Sequence, residues 1–195
     1  MSNPANGSPA RGTAELCEVA QLSDDARVLL ASADAHPSQN VFITMLIERE
    51  LFPDAIRFIA HALPHREAVW WAWVCARKAA GTQPEPPILA ALQATERWVM
   101  QPSEDNRRQA MYYGEAAQFG TAAGAAALAA FLSHGSLAPP DAPLVPPGEF
   151  MTAKAVCGSV TLAAVATEPE RAGEKFREYV RLGLEVAART KLWAA

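Results

Sequence analysis

Apolar side chains recur at steps of three and four along most of the chain, and Pro, Gly and Ser/Asp pairs interrupt them at short intervals. That rhythm predicts α-helices joined by tight turns. A short amphipathic helix runs from Thr13 to Leu22. Ser23 ahead of Asp24 and Asp25 is an N-cap with an acidic first turn, and it predicts a helix to about Ala33 that His36-Pro37 breaks. Ser38 caps the next, with Val41, Phe42, Met45 and Leu46 on one face. Pro53 opens another, whose buried stripe is Ala55, Ile56, Ile59, Ala60 and Leu63. Pro64 separates it from Arg66 to Ala80, where Trp70, Trp71 and Trp73 point to different sides of one helix. A helix apolar nearly all round is a buried one, which places this segment at the centre of the protein.

Gly81 ends that helix. Pro84 to Pro87 leads to a helix from Ile88 to Met100, and Ser103, with Glu104 and Asp105 behind it, caps the next. Ala110, Met111, Tyr113, Ala117 and Phe119 turn from this helix toward the core. The Ala-rich stretch Thr121–Leu132 predicts a helix small enough in section for its neighbours to approach closely. Residues 137–148 carry five prolines and predict an extended, polyproline-like surface loop, read as a spacer between helices or as a docking motif. Phe150 to Thr167 reads as helix, although Val156, Val160, Thr161 and Val165 also permit a strand. Pro169 opens a last helix with Phe176, Val180, Leu184 and Ala187 in a stripe, and Trp193 packs near its end. The sum is about nine helices. The fold class is all-α: a single-domain multi-helix bundle, or a short α-solenoid-like stack of antiparallel helices, over 13–195, behind a disordered lead-in at 1–12.

Composition narrows the function. Of 195 residues, 50% are hydrophobic and 19% charged, which suits a folded globular chain and not a disordered one. A net charge of −4 without a basic stripe points away from nucleic acid. Arg107 and Arg108 stand beside Glu104 and Asp105 and read as a solvated helix start. No apolar run is long enough to insert in a membrane, and no apolar leader precedes the first helix, so a cytoplasmic location is expected. Cys17, Cys75 and Cys157 are odd in number and widely spaced, which suits small apolar core residues better than a disulfide framework.

The chain carries no phosphate loop, dinucleotide fingerprint, nucleophile elbow or zinc-type cysteine spacing. His61 and His65, with Glu67 nearby, have the spacing of metal ligands on one helix, but Pro64 divides them; no cofactor is expected. Glu48, Arg49 and Glu50 read as a solvent face. Arg77 follows Trp70, Trp73 and Val74 on one face. In a buried helix it needs a partner, for which Glu67 and Glu96 are candidates. A structural ion pair and a ligand-binding arginine are both open, and Glu96, Arg97 and Trp98 also allow a charged-aromatic surface patch.

The run from Ala62 to Arg77, with its Leu-Pro-x-Arg-Glu-Ala-Val-Trp-Trp core at Leu63–Trp71, resembles the signature of an uncharacterised bacterial family of small helical proteins. Trp98-Val99, the Leu-Ala-Pro-Pro turn at Leu137 to Pro140 and Ala155-Val156-Cys157-Gly158 resemble it too, so the likeness spans Phe52 to Trp193. It implies no particular activity. It does imply an association with gene neighbourhoods of bacterial secretion and contractile injection machinery, hence an interaction role. The expected function is a non-enzymatic adaptor, scaffold or chaperone-like protein whose partner is another protein. The alternatives are a small-ligand binder or enzyme built around Glu67, Trp70, Arg77 and Glu96, and an immunity protein answering a secreted toxin.

Overall fold

A computed structural model describes residues 11–33 and 37–190, so Trp193 and all of the lead-in except Arg11 and Gly12 lie outside the described residues. The helices are α1 (Thr13–Val19), α2 (Asp24–Ala31), α3 (Gln39–Glu48), α4 (Phe52–Ala62), α5 (His65–Ala79), α6 (Pro86–Met100), α7 (Glu104–Ala116), α8 (Ala122–Phe131), α9 (Met151–Val165) and α10 (Ala172–Arg189), with a 3-10 turn at Pro169–Arg171. Among the described residues there are ten α-helices and no strand. The protein is an all-α helical bundle. The expected caps form, the hydroxyls of Ser23, Ser38 and Ser103 each accepting the N–H three residues on, and Thr121 caps α8 in the same way. The stretch beginning at Phe150 is a helix because Val156, Val160 and Ala163 fall on one buried face.

Helices α5, α8 and α9 pack together at the centre, with α6 and α7 on one side and α4 and α10 on the other; α1 and α3 lie on α4. The helix buried all round is α8, not α5. Eight of the ten residues of α8 are buried, and none of them has a side chain longer than alanine except Phe131. Gly124 explains how closely it approaches the end of α7, since a Cβ there would stand 2.1 Å from the Gln118 carbonyl oxygen.

Helix α5 is central but amphipathic. It buries Ala68, Val69, Trp71, Ala72, Cys75 and Ala76, while Arg66, Arg77 and Lys78 are exposed. Its tryptophans divide the packing. Trp71 is fully buried and its indole N–H donates to the Tyr179 carbonyl of α10 at 2.8 Å. Trp73 donates to the Leu92 carbonyl of α6 at 2.9 Å and stacks on Trp70, ring centroids 4.7 Å apart. A second buried polar joint holds the N-terminal helices. The Asp54 carboxylate, 4% exposed, accepts both the N–H and the hydroxyl of Ser23 at 2.8 Å, fixing the start of α2 on α4.

Candidate functional site

The densest polar constellation lies where α7 begins and α8 ends. Ser103 caps α7, so Glu104, Arg107 and Arg108 rise from its first turns on neighbouring faces. Arg107 is completely buried, not solvated as its flanking acids suggest. Its guanidinium grips Glu104 with two bonds, Nε to Oε2 at 2.7 Å and Nη2 to Oε1 at 2.8 Å. On the other side Nη1 donates to the Phe131 carbonyl at 2.5 Å and Nη2 to the Ser136 carbonyl at 2.8 Å. Its plane lies over the Phe131 ring, 4.4 Å from the centroid. Phe131 is the last residue of α8, so the cation sits against the negative end of that helix and satisfies a carbonyl the helix itself leaves free. These contacts offset the cost of a buried charge. The same bonds hold the Glu104 carboxyl below its usual range, the hydrogen bond from Arg107 being the main cause.

Arg107 thereby binds a loop to the bundle. Gly135, at φ +73°, turns the chain where a Cβ would meet the Arg107 Nε at 3.0 Å, so any other residue is strained by the turn and presses on the guanidinium. Arg108 bridges Glu104 at 2.6 Å and the Ala138 carbonyl at 3.1 Å. The Ser136 hydroxyl accepts the N–H groups of Ala138 and Val145, both at 3.1 Å, and the Leu137 N–H donates to the Val145 carbonyl at 2.8 Å. The Ala142 N–H closes on Pro139 at 3.1 Å. The loop of 137–148 is a surface loop, as its prolines predict. It is folded back and tied at its base, where a simple spacer would be strung between two helices. Its returning arm is apolar: Leu144 is 73% and Val145 48% exposed.

Histidines surround the same joint. His65 Nδ1 donates to the Ser133 carbonyl at 2.7 Å, and His134 lies beside the buried Trp98 with centroids 6.2 Å apart. Burial, then Arg107, holds the His134 imidazole below its ordinary pKa. His61 instead faces Phe150 and donates through Nδ1 to the Arg57 carbonyl at 2.8 Å, so the two histidines of the metal-like spacing serve different partners. Among the described residues no group of three or more His, Cys, Asp or Glu is placed to hold a metal.

The residues singled out around the tryptophan helix are distributed differently. Trp70 is half-buried against Trp73, Glu67 lies one turn before it, and Glu96 is exposed on α6. Arg77 is exposed and donates to the Gly81 carbonyl at 2.6 Å, capping the end of its own helix. It needs no buried partner because its face of α5 is open. Two hollows are lined by other residues: one of about 790 Å³ beside α10, walled by Ile47, Phe52, Glu174, Arg177, Glu178 and Leu184 among others, and one of about 370 Å³ between α1 and α2. The three cysteines are free, and burial raises all their thiols, Cys17 to about 11 and Cys157 to about 12. At neutral pH they are protonated and poor nucleophiles. No helix among the described residues is long and apolar enough to cross a membrane.

Sequence reasoning missed Arg107 and Asp54. For Asp54 the only sequence signal is a carboxylate directly after Pro53 in an otherwise apolar run. For Arg107 the signal is an arginine three residues after a helix-start glutamate, a pattern shared by many surface pairs. Comparison with curated proteins gave no match, and neither did comparison with solved structures. Comparison with protein families gave one described as "Family of unknown function (DUF6931)", matched over residues 42–187. That span takes in the whole of α4 to α9, the Arg107 joint and its loop, and the chain belongs to this family of unknown function.

Proposed function

We propose that the chain is a non-enzymatic protein-interaction protein, an adaptor or scaffold whose docking element is the tied loop of residues 137–148. The observation that carries this is a leucine 73% exposed on the returning arm of a loop whose base is fixed by a fully buried arginine. Holding an apolar side chain in water is unfavourable, and covering it by a partner recovers that free energy. A loop already ordered at its base loses less conformational freedom on binding than a free linker does. The partner is another protein, met in the cytoplasm. Products of adjacent genes, secretion components among them, are the first to test. A small-ligand role around Trp70 and Arg77 has less support, because stacking on Trp73 already occupies Trp70 and Arg77 is satisfied by Gly81.

The test is affinity capture from the source cells with the native chain and with Leu144→Glu. A stoichiometric partner held by the native chain and lost with the variant supports the reading, provided both melt at the same temperature. An identical set of proteins on both, or none on either, overturns it.

A further inference from the structure

The loop also specifies how a partner must be built. Pro140, Pro143 and Pro146 recur at every third position. Three residues is one turn of the left-handed polyproline helix, so such residues share an edge. Pro140 is taken up in the turn closed by Ala142 and Pro139, which leaves Pro143 and Pro146 as the repeat in the straight part of the loop. Both are exposed.

The backbone of 142–147 has little freedom to be anything else. Pro143, Pro146 and Pro147 have φ fixed by their rings. Ala142, Val145 and Pro146 each precede a proline, which drives them to extended or polyproline geometry. Only Leu144 is under neither constraint. Val145 forms the tied side, with its N–H on the Ser136 hydroxyl and its carbonyl on the Leu137 N–H, while its side chain stays 48% exposed. By the threefold repeat, the Pro143/Pro146 edge and the Leu144/Pro147 edge are the other two sides of the rod.

Hydrogen-bonding capacity then excludes one mode of recognition. From Pro143 to Pro147 three residues have no N–H and Val145 has committed its own, so Leu144 supplies the one open donor. A partner adding a strand needs alternating donors and acceptors and would find a nearly donor-free edge. The carbonyls of Pro143, Leu144, Pro146 and Pro147, by contrast, are open acceptors. A surface complementary to this rod offers flat apolar faces for proline rings and side-chain donors for carbonyls, which is what Trp and Tyr provide together.

We infer that Pro143–Pro147 is displayed as a preformed polyproline-type ligand for an aromatic-walled groove on a partner protein, with Pro143 and Pro146 as the packing pair and Leu144 flanking them. This rests on the reading of the loop as the docking element and goes further by fixing the chemistry of what receives it.

The experiment uses the full chain in its source cells, with the photo-cross-linking residue p-benzoylphenylalanine in place of the exposed Ala142. Cross-linked peptides are identified by mass spectrometry, alone and in combination with Pro143→Ala/Pro146→Ala or with Asp141→Asn. The expected result is a cross-link to a partner segment bearing at least two Trp or Tyr residues. Its yield falls at least tenfold in the double proline variant and stays within twofold for Asp141→Asn. A cross-link whose yield survives the double proline variant, or which maps to a segment without aromatic residues, overturns this inference while leaving the interaction role intact. Absence of any cross-link to another protein overturns both.

Discussion

The tryptophan helix and the Arg107 joint are a study in opposites. In the sequence α5 is the loudest segment of the chain, and Arg107 is one of a plain pair of arginines beside two acids. In the fold, the tryptophans distribute themselves over packing contacts with α6 and α10, and the plain arginine is sealed beneath a displayed loop. Aromatic density marks where area is buried, while a charge without exposure marks where backbone is being held. Only the second property gives a surface loop a fixed shape.

The sharpest way to break this contrast is to truncate each region at its buried residue. Trp71→Ala removes the fully buried indole and its bond to α10 and is expected to cost about 3–5 kcal/mol in chemical denaturation. The loop is expected to keep its position, read by an unchanged Leu144 environment in NMR or hydrogen exchange. Arg107→Ala leaves the Glu104 carboxylate and the Phe131 and Ser136 carbonyls without their donor. Its expected cost is similar, about 3–5 kcal/mol. Here the loop should lose protection against amide exchange at Ala138 and Val145 while α10 retains it. If Arg107→Ala leaves exchange in the loop unchanged, the arginine is not what holds it.

Gly135→Ala probes the same joint more gently. A Cβ at a positive-φ position in contact with the Arg107 guanidinium is strained on both counts. We expect a loss of about 1–3 kcal/mol by thermal melting, with faster exchange confined to the loop. A variant as stable as the native chain would show that the guanidinium moves aside at no cost.

How far the sequence discloses each region follows from the length scale of its determinants. The helices are legible because caps and stripes are local: Ser23, Ser38 and Ser103 each act within three residues. The centre of the bundle is less so. The tryptophan helix reads as apolar all round only until Arg77 is seen to cap its own helix through Gly81, while the Ala-rich α8 takes the fully buried place. The Arg107 joint is illegible because its acceptors, Phe131 and Ser136, are 24 and 29 residues away and are backbone carbonyls, which every residue has. No periodicity encodes them. Similarly, the prolines of the loop announce its surface position but not the Ser136 hydroxyl that folds it back.

Acid provides a milder comparison. His61 donates through Nδ1, its Nε2 is buried without an acceptor, and burial is the main reason its pKa is lowered. Its folded pKa therefore lies below the unfolded value of about 6.5. As pH falls past that value the unfolded chain takes up a proton that the fold refuses, so stability declines downward from about pH 6.5. His134, lowered by burial and Arg107, acts in the same window. Glu104 acts lower. Its carboxyl is held below its usual range by the Arg107 hydrogen bond, so its contribution is full above the unfolded carboxylate value and is lost as pH falls through the folded one. Melting temperature against pH should thus show a decline below about 6.5 that His61→Phe makes shallower, and a second below the carboxylate range that Glu104→Gln removes. A His61→Phe profile parallel to the native one would mean the imidazole gains its proton in place.

The smallest effect expected is the one that most sharpens the contrast. Arg77 stands in the most conspicuous segment of the sequence, on the face that carries Trp70 and Trp73, and in the fold it is exposed with one bond to a carbonyl four residues on. Such a cap adds little, because water can satisfy the Gly81 carbonyl in its absence and the charge gains only modestly from the helix end. Arg77→Ala should therefore stay within about 0.5–1 kcal/mol of the native stability. It should also leave partner capture unchanged. Arg107→Ala, the same chemical change 30 positions further along the chain, is expected to remove both stability and the ordered loop. Equal losses from the two substitutions would mean that Arg77 has a role its exposed position does not supply, and would return the α5 face to contention as a binding surface.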